Sequence, residues 1–243
     1  LPDQVRASAQ IQRHLGQALG DLTGNVVWRL PFRTHHSVFI DDDGDFWVPG
    51  QRSRFDSSPA YPNMEPRFIE DVILEVSHDG RIKTEKSMFQ LLRDNELTGL
   101  LYLSSVDNWS PVVTDDILHL NDVEVFGQAM PSGVFEPGDI LVSLRNIHTI
   151  LVFDSNWRVK FQSTGQMIRQ HDPDFIDGNR ISVYDNNNVR DPGNEHSSKI
   201  IILDARDGSL TTVFEGREET PFYSPILGNT SGSVTATSSF QNP

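Results

Sequence analysis

The chain has no cysteine among its 243 residues. That excludes disulfides, thiolate metal sites and a cysteine nucleophile, without fixing the compartment. Long hydrophobic runs are missing too. No apolar stretch of the sequence approaches the roughly 20 residues that cross a bilayer as a helix, so no membrane partner is expected. Positive charge is scarce: 20 Lys and Arg face 34 Asp and Glu, a net charge of −14. Such a surface repels phosphate backbones, so no nucleic-acid partner is expected. An anionic small molecule would need a locally cationic pocket, because charge beyond about 8–10 Å is screened.

What is present is β-structure. Hydrophobic residues make up 37%, enough to bury a sizeable core. Short runs of alternating or continuous apolar residues recur, among them Val26–Leu30, Phe46–Val48, Val72–Ser77, Val123–Phe126, Ile140–Leu144, Arg180–Tyr184 and Ile200–Asp204. Turn signals such as Asp43-Gly44, Asp79-Gly80, Pro137-Gly138 and Asp207-Gly208 separate them. One strand–turn–strand pattern is used three times, each copy led by histidine: from His35 and His36, from His119, and from His171. A second hairpin recurs at 72–82, 149–159 and 199–210. Histidine segment plus hairpin gives about four strands, the content of one propeller blade. The expected fold is therefore all-β: a β-propeller of four-stranded blades, about four to six in number and incomplete at its C-terminal blade. Residues 49–71 and 85–117 read as insertions between strands. Residues 1–22 read as a short helical segment, with Leu15 and Leu19 at helical spacing and Gly20 ending it, and 23–243 as the propeller domain. Met88–Leu103 reads as a helix or apolar lid segment, more often packing than lid.

Residues at the same place in successive blades can point at one axis. His171, His119 and His36 are the candidates for such convergence. Strand alternation turns His35 and His36 opposite ways, so only one of them is expected at the axis; His36 aligns better, and a bulge would admit His35. His119 and Asn121 are two apart and should share a face, where imidazole and carboxamide suit an oxyanion. Neutral imidazole is nucleophilic and forms covalent intermediates, which favours His171 as a catalytic group. Arg145 offers a planar fork of donors for sulfate, phosphate or carboxylate, unless it simply pairs with one of many acids; Arg52 is a weaker candidate. Three imidazoles could also hold zinc or copper, but Asn121 and Arg145 fit an anion better, so no metal is expected. The Asp41–Asp45 and Asp204–Asp207 turns read as solvated hairpins rather than calcium loops.

The segments His119–Glu124, Gly138–Arg145 and Gln170–Phe175 with Ile181–Asn186 resemble the bacterial arylsulfotransferase (arylsulfate sulfotransferase) family. The resemblance runs from about residue 24 to 229 and is most specific over 117–187. It implies a β-propeller, six-bladed in the best-known form, and a periplasmic or secreted location. It also implies transfer of a sulfuryl group from a phenolic sulfate ester to a phenol, without a nucleotide donor or other cofactor. The route would be a sulfohistidine, with His171 as nucleophile, His119 and Asn121 on the sulfate oxygens or the phenol proton, Arg145 on the sulfuryl charge, and His36 or His35 completing the cluster. The chain departs from the longer members in lacking their separate N-terminal β-domain and their cysteines. Assembly as a homo-oligomer would be one way to close a short ring. Two rival readings remain: a non-catalytic propeller binding an anionic ligand or protein through its channel, and a sulfate-ester hydrolase.

Overall fold

In the computed structural model, residues 18–20, 23–105, 109–188, 197–216, 219–226 and 228–230 are described. Their strands form three blade-like sheets and a small hairpin. The hairpin pairs β1 (Ala18–Gly20) with β2 (Val26–Arg29). The first blade holds β3 (Arg33–Thr34), β4 (Phe39–Ile40), β5 (Phe46–Arg54), β6 (Met64–Val76) and β7 (Ile82–Ser87). Its order is β3-β5-β6-β7, with β4 also on β5. Helix α1 (Met88–Asp94) and β8 (Val113–Asp116) follow, β8 pairing parallel to β6. The second blade is β9 (Leu120–Val125), β10 (Ile140–Leu144), β11 (Thr149–Phe153) and β12 (Val159–Thr164). The third is β13 (His171–Asp177), β14 (Arg180–Asp185), β15 (Lys199–Asp204) and β16 (Leu210–Glu215). Both are antiparallel meanders in chain order. The fold is an all-β propeller type built on four-stranded sheets, as expected. Among the described residues no helix is long and apolar enough to cross a membrane.

Blades are stacked face to face, so the core divides into layers between them. Leu120, Val123, Val142 and Leu151 of the second blade pack with Phe68 and Ile73 of the first. Leu141, Ile150 and Val152 pack on the other side with Phe175, Ile181 and Val183 of the third. Continuous apolar runs such as Ile140–Leu144 are what a strand covered on both faces requires. Leu30, Val48, Val72 and Leu74 form a third layer with Leu19 and Trp28 of the hairpin.

Two expectations are corrected. Ala18–Gly20 is a strand, not the end of a helix; Leu19 is drawn into the sheet opposite Trp28. The rest of the expected helix, 1–17 and 21–22, lies outside the described residues. Residues 49–71 are not a loop insertion: β5 and β6 stay paired from Phe46↔Val76 to Arg54↔Phe68. Pro49 and Gly50 suggest a break, but both fit inside the sheet. The Pro49 carbonyl accepts from His35 N at 3.3 Å, so its backbone faces the gap between β3 and β4, where a missing N–H costs little. A Cβ on Gly50 would lie 2.9 Å from Leu74, Phe32 and Val72 side chains, so glycine lets three apolar groups close over the strand.

Met88, Phe89, Leu91, Leu92, Leu100 and Leu101 are buried against Phe68 in the first core layer. The segment is packing, not a lid. Ser87 caps α1 by accepting from Gln90 N at 3.3 Å. The Asp41 carboxylate is committed within its hairpin, taking the N–H groups of Asp43 and Asp45 and the indole of Trp47. Asp204 similarly holds Arg206. These turns are built as hairpins.

Candidate functional site

Four imidazoles meet at the ends of β3, β9 and β13. The His36 ring centroid lies 4.8 Å from His35, 5.0 Å from His119 and 5.6 Å from His171. His35 is also 5.5 Å from His119. Both neighbours of the His35-His36 pair thus reach the cluster, against the expectation that alternation admits only one. The reason is local: β3 stops at Thr34, and His36 has φ 61, a left-handed conformation that breaks the two-residue period. His119 repeats the device at φ 57, immediately before β9. Non-glycine residues held there cost of order 1–3 kcal/mol, and such strain concentrates at functional sites.

His171 opens β13 and is buried. Its Nδ1 lies 2.6 Å from Asn186 Oδ1 and 3.1 Å from the Arg169 carbonyl, both acceptors. The Asn186 amide cannot be reversed without loss, because its Nδ2 donates to Ser224 O at 2.7 Å. Nδ1 therefore carries the proton and Nε2 the lone pair. Nε2 is buried without a hydrogen-bond partner. Burial lowers the His171 pKa, and the Arg145 charge adds to this, so the imidazole is neutral and nucleophilic.

His119 is held from the other side. Its Nδ1 meets the Asp116 carboxylate, and its Nε2 is 2.9 Å from His36 Nε2. A carboxylate on one nitrogen and a hydrogen-bonded imidazole on the other is an arrangement that can move a proton. Burial, then the neighbouring His35 and His119, lowers His36 to about 2; burial and His119 lower His35 to about 4.

Arg145 follows β10, and its backbone N–H donates to the His119 carbonyl at 3.1 Å. Its Nε is buried without a hydrogen-bond partner. A half-buried guanidinium whose charge depresses both His36 and His171 is a local cationic spot in an acidic protein. Arg52 is elsewhere: it forks onto Glu85 at 2.6 and 2.7 Å and covers the Phe32 ring. Asn121 is buried and donates to the Gln170 carbonyl at 2.8 Å, while the Gln170 amide bonds Ser143 Oγ at 3.1 Å and Thr149 O at 3.0 Å. The pair locks the second blade to the residue before His171. With His119 outside β9 in a left-handed turn, the two-apart spacing no longer sets its direction relative to Asn121.

Together these groups offer a neutral nucleophilic nitrogen, a carboxylate-linked imidazole and a guanidinium. That set can accept a compact anionic group covalently while moving one proton. A family model described as Arylsulfotransferase (ASST) matches residues 18–235. The chain belongs to the arylsulfotransferase family. No curated protein matches the chain. Among solved structures it is similar to the Neurospora crassa Pan2 WD40 domain, at 11% identity and TM-score 0.41, over 90% of this chain and 52% of that one. It is also similar to a Bacteroides caccae protein of unknown function, at 11% identity and TM-score 0.33, over 89% of this chain and 72% of that one. The chain thus spans about half the length of the first of these.

Sequence reasoning missed Asn186, Asp116 and Asp71. Asp71 is a signal in plain view, an acid inside the apolar run of β6. It is fully buried and lies 4.0 Å from His35 Nε2. Burial, with the nearby Asp116 charge, pushes its pKa from 3.8 up to about 8. A raised carboxylate pKa gives stability that is complete below the unfolded value and declines as pH rises toward the folded one. Asp71→Asn keeps the accepting oxygen and removes the titration. We expect it to be near neutral below about pH 4 and increasingly stabilising from there toward pH 8, with a difference that grows by up to about 1.4 kcal/mol per pH unit. Urea unfolding of both proteins across that range measures it.

Proposed function

We propose that this arylsulfotransferase moves a sulfuryl group from a phenolic sulfate ester to a phenol through a sulfohistidine at His171. The observation that carries the reading is the fixed tautomer of His171: Nδ1–H engaged by Asn186 and Arg169, Nε2 bare. In the first half-reaction the Nε2 lone pair forms an N–S bond and the S–O(aryl) bond breaks. The aryl oxygen leaves with the bonding pair and takes a proton from His119. Nδ1–H stays on the Asn186 oxygen, so the sulfated ring keeps its donor bond. In the second half-reaction His119 takes the acceptor phenol's proton, the phenol oxygen forms the new S–O bond, and the N–S bond breaks back to Nε2. Arg145 supplies charge to the sulfuryl oxygens, where donors fixed in advance stabilise the transition state. A periplasmic or secreted location is part of the proposal and rests on the family alone.

The test is release of nitrophenolate from 4-nitrophenyl sulfate with and without phenol. Release that depends on phenol, with phenyl sulfate as product, supports the transferase. Release indifferent to phenol marks a hydrolase, and no release from folded protein overturns the reading for this donor.

Asn186 is a positioning residue in this scheme. Asn186→Leu leaves Nδ1 with only the Arg169 carbonyl, and we expect kcat to fall on the order of 10- to 100-fold, the effect of about 1–3 kcal/mol for a lost buried partner. Asn186→Asp places a carboxylate on the ring and favours the imidazolium. The acidic limb of the pH–rate profile should therefore move to higher pH, a shift that a purely structural role does not produce.

A further inference from the structure

The imidazoles around His171 have a second capacity. We propose that His35, His36 and His119 form a three-histidine site for a divalent transition metal, zinc(II) or cobalt(II), with Asp116 orienting His119 from behind. One ligand nitrogen from each of the three lies within 4.8 Å of the others. The closest pair, His36 Nε2 and His119 Nε2, is 2.9 Å apart. Imidazole nitrogens on one tetrahedral zinc stand roughly 3.3 Å apart, given Zn–N bonds of about 2.0–2.1 Å. His35 lies beyond the end of β3, so its approach to the other two does not call for a strand to move.

The chemistry of the donors agrees. Imidazole is the ligand of zinc, copper, nickel and cobalt, whereas calcium and magnesium demand oxygen. The Asp116–His119 contact is a carboxylate–histidine pair, in which Nδ1–H is held by the acid and Nε2 is turned outward. That is the usual support of a metal-bound histidine. His35 Nε2 is itself buried without a hydrogen-bond partner, 4.0 Å from Asp71. His171 is not part of the three-ligand group, and its Nδ1 is engaged by Asn186. A site of three protein ligands leaves one position of a tetrahedral ion open.

The consequence departs from the anion-only expectation. An ion on His119 Nε2 occupies the nitrogen that the proposed transfer uses for its proton, so zinc should inhibit turnover. That inhibition rests on the transfer reading; the binding does not. The test is titration of the purified, chelator-treated protein with zinc chloride by calorimetry, and with cobalt chloride by visible absorption. We expect one ion per chain and cobalt bands of tetrahedral character. His119→Gln and His35→Ala should each weaken binding on the order of 100-fold, and Asp116→Asn by about 10- to 100-fold. His171→Ala should bind within about threefold of wild type while losing transfer, so loss of one property is separable from loss of the other. Circular dichroism of each variant guards against misfolding. Absence of binding by the wild type, or binding that His119→Gln and His35→Ala leave unchanged in folded protein, overturns the site.

Discussion

Replacing His171 with alanine should reduce phenol-dependent nitrophenolate release on the order of 10⁴-fold or more, with the protein still folded. The magnitude follows from the role. A covalent nucleophile divides one difficult displacement into two easier ones, and no neighbouring group substitutes for a missing lone pair. His171 is buried, but the variant removes no apolar packing layer, since Phe175, Ile181 and Val183 carry the contact with the second blade. The Asn186 oxygen loses its partner, so a modest destabilisation accompanies the catalytic loss. A variant that keeps a tenth of wild-type turnover would remove His171 from the nucleophile's role. Parallel thermal melts separate that outcome from unfolding.

His119→Ala is expected to lower kcat by about 10²–10⁴-fold, and by different amounts for different donors. A leaving group that departs as a stable anion needs little protonation. With 4-nitrophenyl sulfate as donor the first half-reaction should therefore suffer least, and with phenyl sulfate most. Deprotonation of the acceptor still depends on His119, so turnover with a weakly acidic phenol should fall further than turnover with a nitrophenol. Rates across a series of donors and acceptors measure both slopes. An equal loss across the whole series would show that His119 binds or supports the site without moving a proton. The proposed role rests on the Asp116 carboxylate at Nδ1 and the His36 nitrogen at Nε2.

Which parts of this were legible beforehand depended on whether a residue's role is local. His36, His119 and His171 each lead a repeated strand pattern, and repetition is visible in one chain. The propeller class was legible for the same reason, in the recurring hairpins. His35 was legible only as an alternative to His36, because nothing in the letters shows that His36 takes φ 61; the left-handed residue here is not glycine. The strand was read as ending at Val48, and the sheet carries Pro49 and Gly50 onward through the gap between two short outer strands and a close apolar approach. Leu19 belongs to a period that fits a helix, yet its partner Trp28 makes it a strand residue. Asn186 was invisible in its role: the amide is oriented by Ser224, 38 residues later, and acts on His171, 15 residues earlier. Arg145 and Arg52 looked alike in sequence, and the nearby Glu85 decides between them. Asp71, Asp122 and Glu124 could have been noticed as acids inside apolar strands. Burial raises the pKa of each, and Asp71 lies directly behind His35.

The most direct measurement of the central claim is to find the transferred group on the protein. The protein is mixed with 4-nitrophenyl sulfate in the absence of any phenol acceptor, quenched at alkaline pH, digested and mapped by mass spectrometry. The account predicts one added sulfuryl group, on the peptide containing His171, removed when phenol is supplied before the quench. A sulfuryl group on another residue, or none while nitrophenolate is released in amounts stoichiometric with enzyme, would contradict it.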